Sequence, residues 1–210
     1  MKMELRHSIQ AEEFDYQVLK SALGAYSSPR DRITTLMRSG VIVRVKKGLY
    51  VFGDDYRHRP VCKELLANLI FGPSFVSLQY ALAYHGLIPE RVNTVTSVTS
   101  GRARLFDTPV GRFVYRPTPC LSIGFRRIEE GQVAFLIATK ERALADTIRD
   151  GRGTPITTQQ QMKEYLFDDL RIEEAAILEM NPAEMDELAV HLNSRKTALC
   201  ARVIKSIRRN

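Results

Sequence analysis

Residues 28–52, SPRDRITTLMRSGVIVRVKKGLYVF, leave little freedom of fold: an amphipathic helix, a glycine stop and a tight hairpin follow one another without a gap. Ser28-Pro29 is a helix start, because the hydroxyl can cap free backbone N–H groups and proline at the first position loses no hydrogen bond. Ile33, Leu36 and Met37 recur at helical spacing as one apolar stripe. At about 100° per residue, Asp31, Thr35 and Arg38 fall on the opposite side, flanked by Arg32 and Thr34. Gly40 ends the helix as a residue free to take positive φ. VIVRV and LYVF then read as two strands joined at Lys46-Lys47-Gly48, a hairpin with a basic tip. A polar, partly basic helix followed by a basic hairpin is the outline of a winged helix-turn-helix. In that outline the helix enters the major groove and the hairpin lies on backbone phosphates.

Charge distribution strengthens this reading. The chain of 210 residues carries a net charge of +7 and a pI of about 9.4, which suits either a polyanionic partner or simple solubility. Ser28 to Tyr50 holds six bases (Arg30, Arg32, Arg38, Arg44, Lys46, Lys47) against Asp31 alone. Phe14–Leu23 reads as the helix before it, with Phe14 and Val18 inward and Leu19 and Ala22 as further candidates. Gly24-Ala25-Tyr26-Ser27 is the connecting turn, and residues 1–13 are a loose arm or a short helix.

The polar stretch Gly53–Pro60 is the best candidate boundary, dividing the chain into 1–55 and 56–210, with His58 a surface side chain. Beyond it, Val61–Phe71 and Ser77–His85 read as helices. Asn93–Ser100, Arg112–Arg116, Leu121–Arg127 and Gln132–Ala138 read as strands, Lys140–Asp150 as a helix ended by the loop 151–155, and the remainder as helical. The expected fold class is α+β: an N-terminal winged helix-turn-helix, then a mixed domain with a small sheet and a helical C-terminal part. Seven arginines (91, 102, 104, 112, 116, 126, 127) stand against Asp107 in the middle of the chain, either a phosphate-binding groove or an exposed sheet face. Nine acids in 164–187 are followed by six bases in 195–210. These could pair with each other, or the basic tail could meet nucleic acid or an acidic partner.

Catalytic chemistry is not written in the chain. There is no G-x-S-x-G elbow, no Walker loop, no H-E-x-x-H, no E-x-K and no D-x-D. Glu141 and Asp146 are about 140° apart on one helix and cannot share a metal. His85, at a helix end, reads as packed or capping. Cys62, Cys120 and Cys200 are odd in number and dispersed, which fits thiols in a reducing cytosol, and no run suits a signal peptide or membrane span. The expectation is a cytoplasmic, non-enzymatic protein without metal or cofactor.

Three segments resemble one known family. RSGVIVRVKKGLYVF (38–52) resembles the end of the winged-helix domain of AbiEi-type antitoxins of type IV toxin–antitoxin (abortive-infection) systems. SFVSLQYALAYHGLIPERVNTVTSVTSGRARLFDTPVGRFVYR (74–116) and IATKERALADTI (137–148) resemble its second region and its Ala-x-x-Glu-Arg-Ala-Leu-x-Asp helix. The resemblance implies a repressor that binds duplex DNA at the operator of its own operon and counters a nucleotidyltransferase-like toxin, with or without a stable complex. By position it implies Arg30, Arg32, Thr34, Thr35 and Arg38 in the groove and Arg44, Lys46 and Lys47 on phosphates. Two other readings stand beside it: a nucleic-acid-processing enzyme using the arginine-rich middle, and a protein-interaction module.

Overall fold

The computed structural model describes residues 2–24, 26–151 and 155–209; Ala25 of the expected turn and 152–154 of the expected loop lie outside the described residues. The protein is a mixed α+β fold with two sheets. The first sheet joins β1 (Glu13–Asp15), β3 (Leu49–Phe52) and β2 (Ile42–Lys46), all antiparallel, with Phe14 opposite Tyr50 and Ile42 opposite Phe52. Helices α1 (Lys2–Ser8), α2 (Tyr16–Ala22) and α3 (Pro29–Arg38) pack on it around Leu5, Leu19, Ile33, Leu36 and Phe52.

The helix expected from Phe14 begins later. Phe14 is drawn into β1, where its ring lies 4.9 Å from that of Phe52, and the Asp15 carboxylate caps the helix by accepting from Val18 N at 2.9 Å. This start turns Leu19 fully inward and leaves Val18, expected inside, 44% exposed.

The hairpin is covered on both faces. Ile42, Tyr50 and Phe52 belong to the N-terminal core, whereas Val45, Leu49 and Val51 join a larger core with Leu66, Ala67 and Ile70 of α4 (Lys63–Ile70). All four residues of β3 are buried.

The second sheet has the order β6-β7-β5-β4-β9-β8. Three strands fall near the expected runs, β5 (Val95–Thr99), β7 (Gly111–Pro117) and β9 (Val133–Ala138), while β8 (Phe125–Glu130) starts four residues later than expected, because 121–124 belong to the loop that meets Arg142. Two were not expected. β4 (Ser74–Val76) is three residues long, and β6 (Arg104–Thr108) is an edge strand with little apolar content, closing a hairpin on β7. Pairing is parallel between β5 and β7 and between β4 and β9, antiparallel elsewhere. α5 (Leu78–Tyr84) and α6 (Lys140–Asp150) pack together over the sheet.

The C-terminal part is helical: α7 (Gln159–Glu164) running into a π-helical turn, α8 (Glu174–Glu179), α9 (Pro182–His191) and α10 (Arg195–Ile207). Among the described residues no helix is long and apolar enough to cross a membrane.

Candidate nucleic-acid interface

α3 is fixed from beneath. Ile33 and Leu36 are buried, and Gly40, at φ +69°, ends the helix where a side chain would be strained. The opposite face is solvent-exposed at Arg30, Asp31, Thr34, Thr35 and Arg38. Arg30, Thr34 and Arg38 stand four residues apart and so form one row along the axis. The threonine hydroxyls donate back to their own helix, Thr34 to Arg30 O at 3.1 Å and Thr35 to Asp31 O at 3.0 Å, leaving their methyl groups to face outward.

Arg32 departs from the expected set. It is half-buried at the side of the helix, with its guanidinium 5.3 Å from the Tyr26 ring centre. That stacking anchors the turn before α3 and removes Arg32 from the outer face.

The hairpin lysines also separate. Arg44 and Lys47 are exposed, on the strand and at the tip. The Lys46 ammonium instead donates to Ile70 O, a carbonyl left without a helical partner at the end of α4. A cation at a helix C-terminus is favoured electrostatically, and partial burial lowers the Lys46 pKa. The register shift between Arg44 and Lys46 accompanies this turn toward α4. Lys46 was expected on phosphate; its charge is committed within the molecule.

The polar segment 53–60 is held down by groups that sequence reading passed over. Arg6 and Glu12 form a buried pair at 2.5 Å, the same Glu12 oxygen accepts from His58 N at 3.0 Å, and the Arg6 guanidinium lies 4.5 Å from the Phe52 ring centre. Glu13 accepts from Arg59 at 2.9 and 2.5 Å and from Cys62 N at 2.7 Å. The only signal available was a pair of adjacent acids before Phe14. The His58 side chain is exposed, as expected of it.

The second region holds a different polar cluster. Arg142 is wholly buried: Nε donates to Asp146 at 2.9 Å, and the other nitrogens donate to Ile123 O at 3.0 Å, Cys120 O at 2.8 Å and Thr118 Oγ1 at 2.9 Å. Ser77 Oγ donates to the same Asp146 oxygen at 2.7 Å. Burial pushes the Asp146 carboxyl above its ordinary value, against the pull of Arg142 and Ser77. At Gly124, φ is +73° and a Cβ would lie 2.8 Å from that of Arg142, so only glycine fits. Every strong donor here has a protein acceptor. The cluster ties α5, α6 and the loop 118–124 together, and Asp146 Oδ1 is buried without a hydrogen-bond partner.

The other candidates each meet a backbone group. Glu141 turns away from Asp146 and accepts from Asn181 N at 2.7 Å, and the His85 ring lies 2.7 Å from Ala138 O. Among the described residues no three His, Cys, Asp or Glu side chains could hold one metal ion. The seven middle arginines are all exposed but do not converge. Arg102, Arg104, Arg112 and Arg116 lie on or beside β6 and β7, while Arg126 and Arg127 lie on β8 at the opposite edge of the sheet. Arg112 and Arg116 are already matched by Asp107 and Asp150 at 3.2 and 3.4 Å. A single groove lined by all of them does not exist. No protein-family model matches the chain, and no curated protein matches it either.

Proposed function

We propose that this chain is a duplex-DNA-binding repressor of its own operon and the antitoxin of a type IV toxin–antitoxin pair, opposing a nucleotidyltransferase-like toxin. The observation that carries the DNA half is the exposed row Arg30–Thr34–Arg38 on a helix whose other face is locked into a core. The order α1-β1-α2-α3-β2-β3 supports a winged helix-turn-helix, with α3 as its reading helix and the β2–β3 hairpin as its wing. Arginine can fork onto guanine edges, and a threonine methyl suits thymine. Arg44 and Lys47 then meet phosphate. Arg32 and Lys46 support the frame. The antitoxin half rests on the likeness of 38–52, 74–116 and 137–148 to AbiEi-type antitoxins. Action is by binding alone, with Arg142, Asp146 and Ser77 holding the fold.

The test is fluorescence anisotropy with a duplex from upstream of the gene and a shuffled duplex of equal length. The wild-type chain prefers the upstream duplex, and Arg30→Ala with Arg38→Ala removes the preference. Equal affinity of the wild type for both duplexes would falsify the operator reading. For the antitoxin half, a nucleotidyltransferase-like frame sought beside this one arrests growth when expressed alone, and co-expression of this chain restores it.

A further inference from the structure

The bases of 195–209 divide into two groups. Lys196 donates to Gly151 O at 3.3 Å, Lys205 pairs with Asp186, and Arg208 donates to Met180 O at 2.5 Å and Leu178 O at 2.6 Å. These three stitch the end of the chain to the helices before it. Arg195, Arg202 and Arg209 are exposed, and their side chains have no ionic or hydrogen-bonding partner among the described residues. They are also seven residues apart, which is close to two full helical turns, so all three stand in one line on α10 and just past its end. The buried side of α10, with Leu199, Cys200, Val203 and Ile204, faces the other way.

Two shallow clefts of about 560 and 450 Å³ run along this line and meet at Arg202. Thr157, Gln159 and Ser206 contribute polar walls. The walls are mixed: Ile156, Ala198 and Leu199 line the first cleft beside Asp186, which is paired with Lys205, but Ile156 and Leu199 are buried and no aromatic ring lines either cleft. Protein partners are usually anchored by an aromatic or large apolar side chain in a pocket, and this face has none to offer. A backbone of regularly spaced phosphates requires only regularly spaced cations. The 14 residue steps from Arg195 to Arg209 extend roughly 21 Å, the length of about six base pairs of duplex.

We propose that the outer face of α10 is a second, sequence-independent contact for the phosphate backbone of duplex DNA, carried by Arg195, Arg202 and Arg209. The inference rests on the duplex-DNA reading above, but on residues remote in sequence from α3 and the hairpin. Its test is the salt dependence of the full-length chain on two duplexes, the upstream sequence and the shuffled one. The triple variant Arg195→Ala, Arg202→Ala, Arg209→Ala lowers the slope of log affinity against log salt by up to about 2.7 on both duplexes and leaves their affinity ratio unchanged. Replacing the three arginines by lysine restores most of the slope. All three side chains are exposed, so the variants keep the wild-type circular dichroism and melting temperature. An unchanged slope in the triple variant, with upstream preference intact, overturns the α10 surface and spares the operator reading; the clefts would then suit an acidic protein. An α10-dependent slope without preference for the upstream duplex supports the surface and overturns the operator reading. Absence of binding to either duplex overturns both.

Discussion

Arg142 on α6 and Arg38 on α3 are the same residue type on helices of similar length, and they have opposite circumstances. Arg142 is wholly enclosed, and each of its three guanidinium nitrogens donates to an acceptor of its own chain. Arg38 is exposed, on the face opposite a locked apolar stripe. The same contrast recurs between adjacent residues at Lys46 and Lys47. What separates a fold-holding cation from a candidate ligand-holding one is the number of partners the protein already supplies.

The largest effect comes from breaking the enclosed side. Arg142→Ala strands a buried carboxylate and is expected to cost about 3–5 kcal/mol, seen as a large fall in the midpoint of chemical denaturation. Arg142→Lys recovers little, because an ammonium cannot reproduce the fork that reaches Asp146, Thr118 and two carbonyls. A lysine variant as stable as wild type would remove the network from the account of the fold.

On the open side the balance reverses. Arg38→Ala leaves stability within about 0.5 kcal/mol, yet weakens binding to the upstream duplex by about 1–3 kcal/mol relative to the shuffled one. The two lysines sharpen the contrast further. Lys47→Ala lowers the salt slope by about 0.9, whereas Lys46→Ala leaves the slope alone and destabilises the fold by about 1 kcal/mol through the orphaned Ile70 carbonyl. Salt titrations and melts of the two single variants separate these outcomes.

The smallest effect concerns the thiols. Burial pushes both Cys62 and Cys200 up to about 12, so each keeps its proton in the native state while an unfolded thiol loses it near pH 9. The unfolded chain then binds fewer protons than the native one, and stability falls as pH rises from about 9 toward 12. Cys200→Ala is expected to reduce the loss between pH 8 and pH 10 by about 1 kcal/mol. Burial also pushes the Cys120 thiol up, but hydrogen bonds with Ser122 and the Arg142 charge outweigh it and hold the thiol below its ordinary value. Thiol reagents at pH 8 therefore modify Cys120 before the other two.

Much of the α+β architecture could be read from local patterns, because those patterns carry their own punctuation. α3 between Pro29 and Gly40, and α6 from Lys140 to Asp150, lie at their expected limits. Errors arose where a distant partner decides the outcome. Phe14 became strand rather than helix because Tyr50 and Phe52 are beside it in the sheet. β6 escaped notice because an edge strand needs only one apolar face and this one is largely exposed. Of the eight residues assigned to DNA by sequence, six are exposed. The two that are not, Arg32 and Lys46, found Tyr26 and Ile70, one nearby and one 24 residues away. The free row on α10 could not be told from its engaged neighbours until their acceptors were known.

The β2–β3 hairpin serves as wall for two cores at once, Tyr50 and Phe52 facing one while Leu49 and Val51 face the other. Severing the chain after residue 55 would strip Val45, Leu49 and Val51 of their cover, so neither fragment would inherit a finished surface. The two halves are therefore expected to melt in a single transition, a result that calorimetry checks.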